Sequence, residues 1–297
     1  MLYLCPMHRL SYLFTRLAIE LFRLVPFWLL YRLSNGLSFL LYRVIGYRRA
    51  VVQDNLRRSF PEKTEAERAV IARHSYRNLT DVMLETLKSY TLPVREIGRR
   101  CVSVNPDVLN RHLDQGQSVL LCGGHYGNWE YSGVAMSPCL RGIMIGSYKP
   151  IANTYMNAFV NHTRSRTGML LVPMEDTVSV LRRRVQAGMP SVYLLLTDQS
   201  PSNRKTAQWV PFLNQDTPHL PGLDVLSRKF QLPVVFCQVQ RVRRGFYEIE
   251  YSDIGPDPAT ANESDMTRAF AQKLESVIRE RPEGWLWSHK RWKMKRP

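Results

Sequence analysis

From about residue 115 onward the sequence changes rhythm. Short apolar runs at 118–122, 142–147, 169–173, 191–197, 233–239 and 246–251 alternate with longer amphipathic stretches at 155–166, 177–187, 222–230 and 264–281. Runs this short and apolar on both faces read as strands buried on both sides, and the helical segments between them supply the crossovers. The stretch at 264–281 is the clearest helix: Met266, Phe270, Leu274 and Val277 share a face, and Pro282 stops it. The pattern predicts an α/β domain with a sheet flanked by helices. With 297 residues and an apolar fraction of 44%, the chain can bury a full core, which excludes a disordered or fibrous polymer.

The first third is organised differently. Residues 10–47 are rich in Leu, Phe, Tyr and Trp, but Arg16, Glu20, Arg23, Arg32 and Arg43 interrupt them. No charge-free apolar run therefore reaches the roughly 20 residues a membrane span needs. Leu21, Leu24, Val25, Trp28 and Leu29 follow helical spacing, with Arg23 and Arg32 placed to reach headgroups. Residues 1–47 are expected to form an interfacial anchor, with a single tilted span as the second choice. Ser59 and Glu62 have capping-box spacing around Pro61 and predict a helix over 65–90, with Leu79, Met83, Leu87 and Tyr90 on its packed face. The chain thus divides into an anchor (1–47) and a domain (48–297), the latter made of a helical lead-in (48–95) and an α/β core (96–297).

Charge is concentrated at the ends. Residues 1–60 carry nine basic and two acidic side chains and residues 281–297 carry six and one, so twelve of the sixteen net positive charges lie there. Such ends suit an anionic membrane, a nucleic acid or a phosphorylated ligand. In the C-terminal tail Trp285, Trp287 and Trp292 are interleaved with Lys290, Arg291 and Lys293. Tryptophans beside cations fit a lipid interface, a single-stranded nucleic acid groove, or simply the closing of a core. The five cysteines, Cys5, Cys101, Cys122, Cys139 and Cys237, are scattered without metal-site spacing, which favours reduced thiols.

The chemistry-bearing segment is VLLCGGHYGNWE, residues 119–130. A buried strand stops at two glycines, His125 follows, and Glu130 lies five residues on. Strand ends are where α/β sheets hold reactive groups. A histidine supplies a base near neutrality, a carboxylate orients it, and glycines let backbone N–H groups approach a substrate. Ser132 is nearby, but no GxSxG motif accompanies it, which disfavours a serine hydrolase.

GGHYGNWE resembles the HxxxxD/E block of the lysophospholipid acyltransferase superfamily, and its Gly-Asn-Trp-Glu form is similar to the bacterial lipid A biosynthesis acyltransferases, Bacteroidetes relatives included. The likeness extends through YRRAVVQDNLRRSFPE (47–62), YKP (148–150), TRSRTG (163–168), TDQSP (197–201), VPFLNQDTPHLPG (210–222) and WLWSHKRWK (285–293). It implies a glycerol-3-phosphate-acyltransferase-like mixed sheet, with His125 as general base and Glu130 orienting it. It further implies an acyl-acyl carrier protein donor and a hydroxyl of a lipid A precursor as acceptor, at the cytoplasmic face of the inner membrane. N–H groups at Gly127 and Asn128 are the oxyanion candidates, and Lys149, Arg164, Arg166 and Asp198 the substrate-binding candidates. Neither cofactor nor metal is called for.

Alternatives are O-acylation of a lysophospholipid or lyso-aminolipid, a nucleic-acid-binding protein, and a noncatalytic membrane protein. No helix-turn-helix, zinc-finger or RNA-recognition signature accompanies the basic ends, so no nucleic acid partner is expected.

Overall fold

In the computed structural model, which describes residues 6–201, 203 and 205–296, the chain opens with two helices, α1 (Pro6–Arg23) and α2 (Phe27–Phe39). Cys5 lies outside the described residues. The helical spacing expected across 21–29 is broken: Pro26 lacks an N–H and drives its predecessor out of helical conformation, so α1 ends and α2 restarts behind it. The free carbonyls at the end of α1 are met by Lys88, whose Nζ donates to Val25 O at 2.7 Å and Phe22 O at 3.3 Å. Leu13, Leu17 and Leu21 are exposed, as are Leu24 (75%) and Trp28 (61%). No helix of the described residues is long and apolar enough to cross a membrane.

Next come α3 (Arg49–Ser59) and α4 (Glu65–Ser89). The capping box starts at Thr64 and not at Ser59: Thr64 N–H donates to Glu67 Oε2 at 2.7 Å, and Glu67 N–H to Thr64 Oγ1 at 3.3 Å. Ser59 instead ends α3, and the Phe60–Lys63 turn separates the helices because Phe60 is buried against Trp287. The expected face of α4 is packed only in part, at half-buried Leu79 and Tyr90. Met83 and Leu87 are exposed, whereas Asp81, Glu85 and Lys88 are buried. Each buried group has partners that offset its desolvation. Asp81 takes Arg241 and Arg244 at 2.6 Å each, and Glu85 accepts from Tyr247 Oη at 2.8 Å and Asn128 Nδ2 at 2.7 Å.

The core then follows in the order α5 (Val94–Arg100), β1 (Cys101–Ser103), α6 (Asp107–Asp114), β2 (Val119–Gly123), α7 (Trp129–Met136), β3 (Ile143–Tyr148), α8 (Thr154–Ser165), β4 (Leu170–Pro173), α9 (Thr177–Gln186), β5 (Ser191–Leu196), β6 (Gln208–Phe212), β7 (Gln215–His219), α10 (Gly222–Phe230), β8 (Val234–Arg243), β9 (Phe246–Ile254) and α11 (Asp265–Glu280). The seven-stranded sheet runs β1-β9-β8-β2-β5-β3-β4, with every pairing parallel except β8–β9. All six expected runs are strands of it. The α/β expectation, a mixed sheet flanked by helices, is met.

Alternation along β2 explains how one strand feeds both layers. Leu120 and Cys122 face the layer built with α10 and α11 (Leu223, Phe270, Leu274), while Val119 and Leu121 face the layer built with α6 and α7 (Leu109, Tyr131, Met136). All are essentially fully buried, and each such aliphatic side chain contributes about 1.5–3 kcal/mol. The C-terminal tail closes the first layer: Trp285 and Trp287 are buried with ring centroids 4.8 Å apart, and Asn55 of α3 donates to Trp287 O at 2.9 Å. Lys290 and Lys293 stay exposed.

Candidate active site

β2 and β5 are parallel neighbours in which Gly123 pairs with Leu196. Two residues beyond each of those positions stand His125 and Asp198, so the register brings them level at the carboxyl edge of the sheet. His125 Nδ1 donates to Asp198 Oδ1 at 2.6 Å, and His125 N–H to Asp198 Oδ2 at 2.7 Å. The second oxygen also accepts from Trp285 Nε1 at 3.0 Å. Burial by itself would push the imidazole down, but the Asp198 charge and hydrogen bond, with Glu130 adding, outweigh it and hold His125 above its ordinary value. Asp198 is fully buried, which opposes ionisation, yet the His125 and Trp285 contacts bring it down to about 2.

With its proton held on Nδ1, the ring presents Nε2 as an acceptor, and Gln199 Nε2 donates to it at 3.1 Å. Trp129 stands edge-on to the imidazole at 5.2 Å. The turn that delivers His125 needs its glycines: Gly127 has φ +61°, and a Cβ there would lie 2.2 Å from Val239 O. Asp198 is a sequence candidate only as a substrate contact; Gln199 enters only within the TDQSP block and Trp285 only as a tail residue, because their bonds to the pair depend on strand register and on a tail folding back.

Glu130 is not the carboxylate on the histidine. It lies in the first turn of α7 and takes Arg164 of α8 in a bidentate pair, with Nη2 at 2.8 and 3.1 Å from its two oxygens. His125, Glu130 and Arg164 nevertheless line one cavity of about 390 Å³. Its remaining wall is largely apolar, with Trp129, Val134, Met169, Leu171, Leu194 and Leu223 among the lining residues. Gly133 and Gly146 lie against Met169 in its wall; a Cβ on Gly146 would meet Met169 Sδ at 2.8 Å.

Other sequence candidates are placed elsewhere. Gly127 N–H is taken by Gly284 O at 3.1 Å, while the Asn128 side chain caps α7 (Tyr131 N at 2.9 Å) and donates to Glu85 at 2.7 Å. Arg166 points away from the cavity and donates to Leu92 O at 2.9 Å and Ser89 O at 2.8 Å, finishing the end of α4. Lys149 is exposed beyond β3, and Tyr148 lines the cavity in its place. Ser132 is buried with its hydroxyl on Trp129 O at 2.8 Å.

A histidine locked to a buried aspartate beside a largely apolar cavity defines an acid–base site next to a pocket for an apolar group. The sequence places it: residues 5–294 match the model of the bacterial lipid A biosynthesis acyltransferases, and the chain belongs to that family. It is an acyltransferase acting in lipid A biosynthesis. It is 23% identical to the lipid A biosynthesis palmitoleoyltransferase of Escherichia coli (strain K12), covering 91% of this chain and 86% of that one. It is 24% identical to the lipid A biosynthesis lauroyltransferase of the same strain, covering 91% and 87%. It is 22% identical to a lipid A biosynthesis acyltransferase of Haemophilus influenzae (strain ATCC 51907 / DSM 11121 / KW20 / Rd), covering 89% and 81%.

Proposed function

We propose that this enzyme moves a fatty acyl chain from an acyl-carrier-protein thioester to a hydroxyl of a lipid A precursor, with His125 as general base oriented by Asp198. The observation that carries the reading is the His125–Asp198 pair facing a 390 Å³ apolar cavity. Neutral Nε2 takes the acceptor's hydroxyl proton as its oxygen attacks the thioester carbonyl. The C–S bond then breaks, and the leaving thiolate takes that proton back from the imidazolium, so no covalent enzyme intermediate is needed. The acyl chain occupies the cavity down to Met169. Arg164, held in place by Glu130, and the Gln199 amide are the donors on hand for the developing oxyanion.

The exposed apolar side chains of α1 and α2, flanked by exposed Arg9, Arg23, Arg32 and Arg43, rest on an anionic membrane surface. The setting that supplies both this surface and a carrier-protein donor is the cytoplasmic face of the inner membrane. Incubating the enzyme with a panel of acyl-carrier-protein thioesters and either a lipid A precursor or a lysophospholipid, followed by mass spectrometry of the lipid, tests the reading. Product on the lipid A precursor supports it; product on the lysophospholipid alone replaces it with the alternative acceptor class.

A further inference from the structure

A second cavity of about 320 Å³ shares no lining residue with the acyl cavity, yet borders the same catalytic turn through Tyr126 and Gly127. Its wall carries five arginines, Arg77, Arg241, Arg243, Arg244 and Arg281, together with His74. Two of them are fixed from behind. Buried Asp81 pairs with Arg241 Nη2 and Arg244 Nη2, each at 2.6 Å, and Arg244 Nη2 also reaches Asn35 Oδ1 on α2 at 2.8 Å. One carboxylate therefore holds two guanidinium groups in the wall. Among the described residues no carboxylate stands within ion-pairing distance of Arg77, Arg243 or Arg281, which leaves three cations against the single lining acid, Glu283.

We infer that this arginine-lined cleft binds the phosphate of a lipid headgroup. Guanidinium groups left without a carboxylate partner in a concave wall offer the planar, forked donors that a phosphate's oxygens accept, whereas a purely structural role would call for paired charges. The position selects a lipid over a soluble anion. Through Tyr31 O and Asn35, Arg244 is tied to α2, and that helix exposes Trp28, Leu33 and Phe39. The cleft thus lies at the seam between an apolar outer face and the catalytic turn, where a lipid lying with its chains against α2 carries its phosphate. The inference goes beyond the acyl-transfer reading and is independent of His125's role.

Calorimetric titration of the intact enzyme, without any thioester donor, separates the two. The probes are dihexanoyl phosphatidic acid below its micelle concentration, dihexanoyl phosphatidylcholine, and inorganic phosphate. The unmodified enzyme is expected to bind the phosphatidic acid about tenfold tighter than either other probe, and Arg77→Gln/Arg281→Gln to weaken it by about tenfold or more. Arg182→Gln/Arg183→Gln, which removes the same charge from exposed positions on α9, is expected to change it less than about twofold. Arg77→Gln alone gives an intermediate loss and serves if the double variant unfolds. Equal affinity in the cleft variant and the unmodified enzyme overturns the site. Inorganic phosphate binding as tightly as the lipid overturns the headgroup assignment.

Discussion

Asp198 holds His125 by two atoms at once, its ring Nδ1 at 2.6 Å and its backbone N–H at 2.7 Å. The carboxylate therefore sets both the tautomer of the base and the height of the turn that carries it, and Trp285 at 3.0 Å fixes the carboxylate in turn. Because the two residues stand 73 apart in sequence, the contact exists only through the parallel register of β2 and β5.

Replacing Asp198 by Asn keeps the shape and loses the charge that favours the imidazolium and the correct tautomer. The turnover number of Asp198→Asn is expected to fall by roughly 10³- to 10⁴-fold, by analogy with the serine-protease aspartate. Steady-state mass spectrometry reads this; a drop under about threefold contradicts the assignment of Asp198 as orienter.

Glu130 and Arg164 act as a unit, so their effects should not add. Either Glu130→Gln or Arg164→Gln is expected to cost about 10- to 100-fold in turnover, with the double variant little worse than the poorer single one. Additive losses would mean that Glu130 works independently of the guanidinium.

The His125–Asp198 pair predicts a pH profile. His125 sits above its ordinary 6.5, so the fraction in the neutral, basic form grows as pH rises through that raised value, and kcat/KM rises with it. In Asp198→Asn the rising limb should move to lower pH. For stability the sign differs. The raised histidine stabilises fully below 6.5 and loses that contribution as pH climbs through its folded value, while the depressed aspartate contributes above 3.8 and loses it as pH falls toward about 2. The pair's contribution is therefore greatest between about 3.8 and 6.5, which melting temperatures measured across that range check.

In the wall of the acyl cavity, Gly133 lies 3.6 Å from Met169 Cε as measured from an added Cβ. A larger side chain there fills space an acyl chain would use. Gly133→Leu is expected to shift preference toward shorter acyl donors and Met169→Ala toward longer ones, each by roughly tenfold in relative kcat/KM. Competition between donors of different length measures it, and an unchanged ratio in both variants contradicts the placement of the chain.

β2 is readable because burial on both faces leaves no polar position in VLLCG (119–123) to obscure it, whereas β9 (Phe246–Ile254) alternates buried and exposed positions. Hairpin β6–β7 escaped notice for a concrete reason: Pro211 and Pro218 argue against strands, and the Leu213–Asn214 turn uses positive φ without glycine. The face of α4 is hard to read because its buried side carries Asp81, Glu85 and Lys88, which are tolerated through partners such as Ser34 and Tyr31 on α2, Arg23 on α1, Arg241 on β8 and Tyr247 on β9. In the site, His125 was legible from GGHYGNWE, whereas its true carboxylate was not. Local spacing pointed to Glu130, and only register reveals Asp198.

The most direct measurement is the turnover of His125→Ala with an acyl-carrier-protein thioester and a lipid A precursor. Loss of the base is predicted to lower transfer by about 10²- to 10⁴-fold while the melting temperature stays within a few degrees and the protein still binds membrane vesicles. Transfer by the folded variant at close to the unmodified rate would contradict the account.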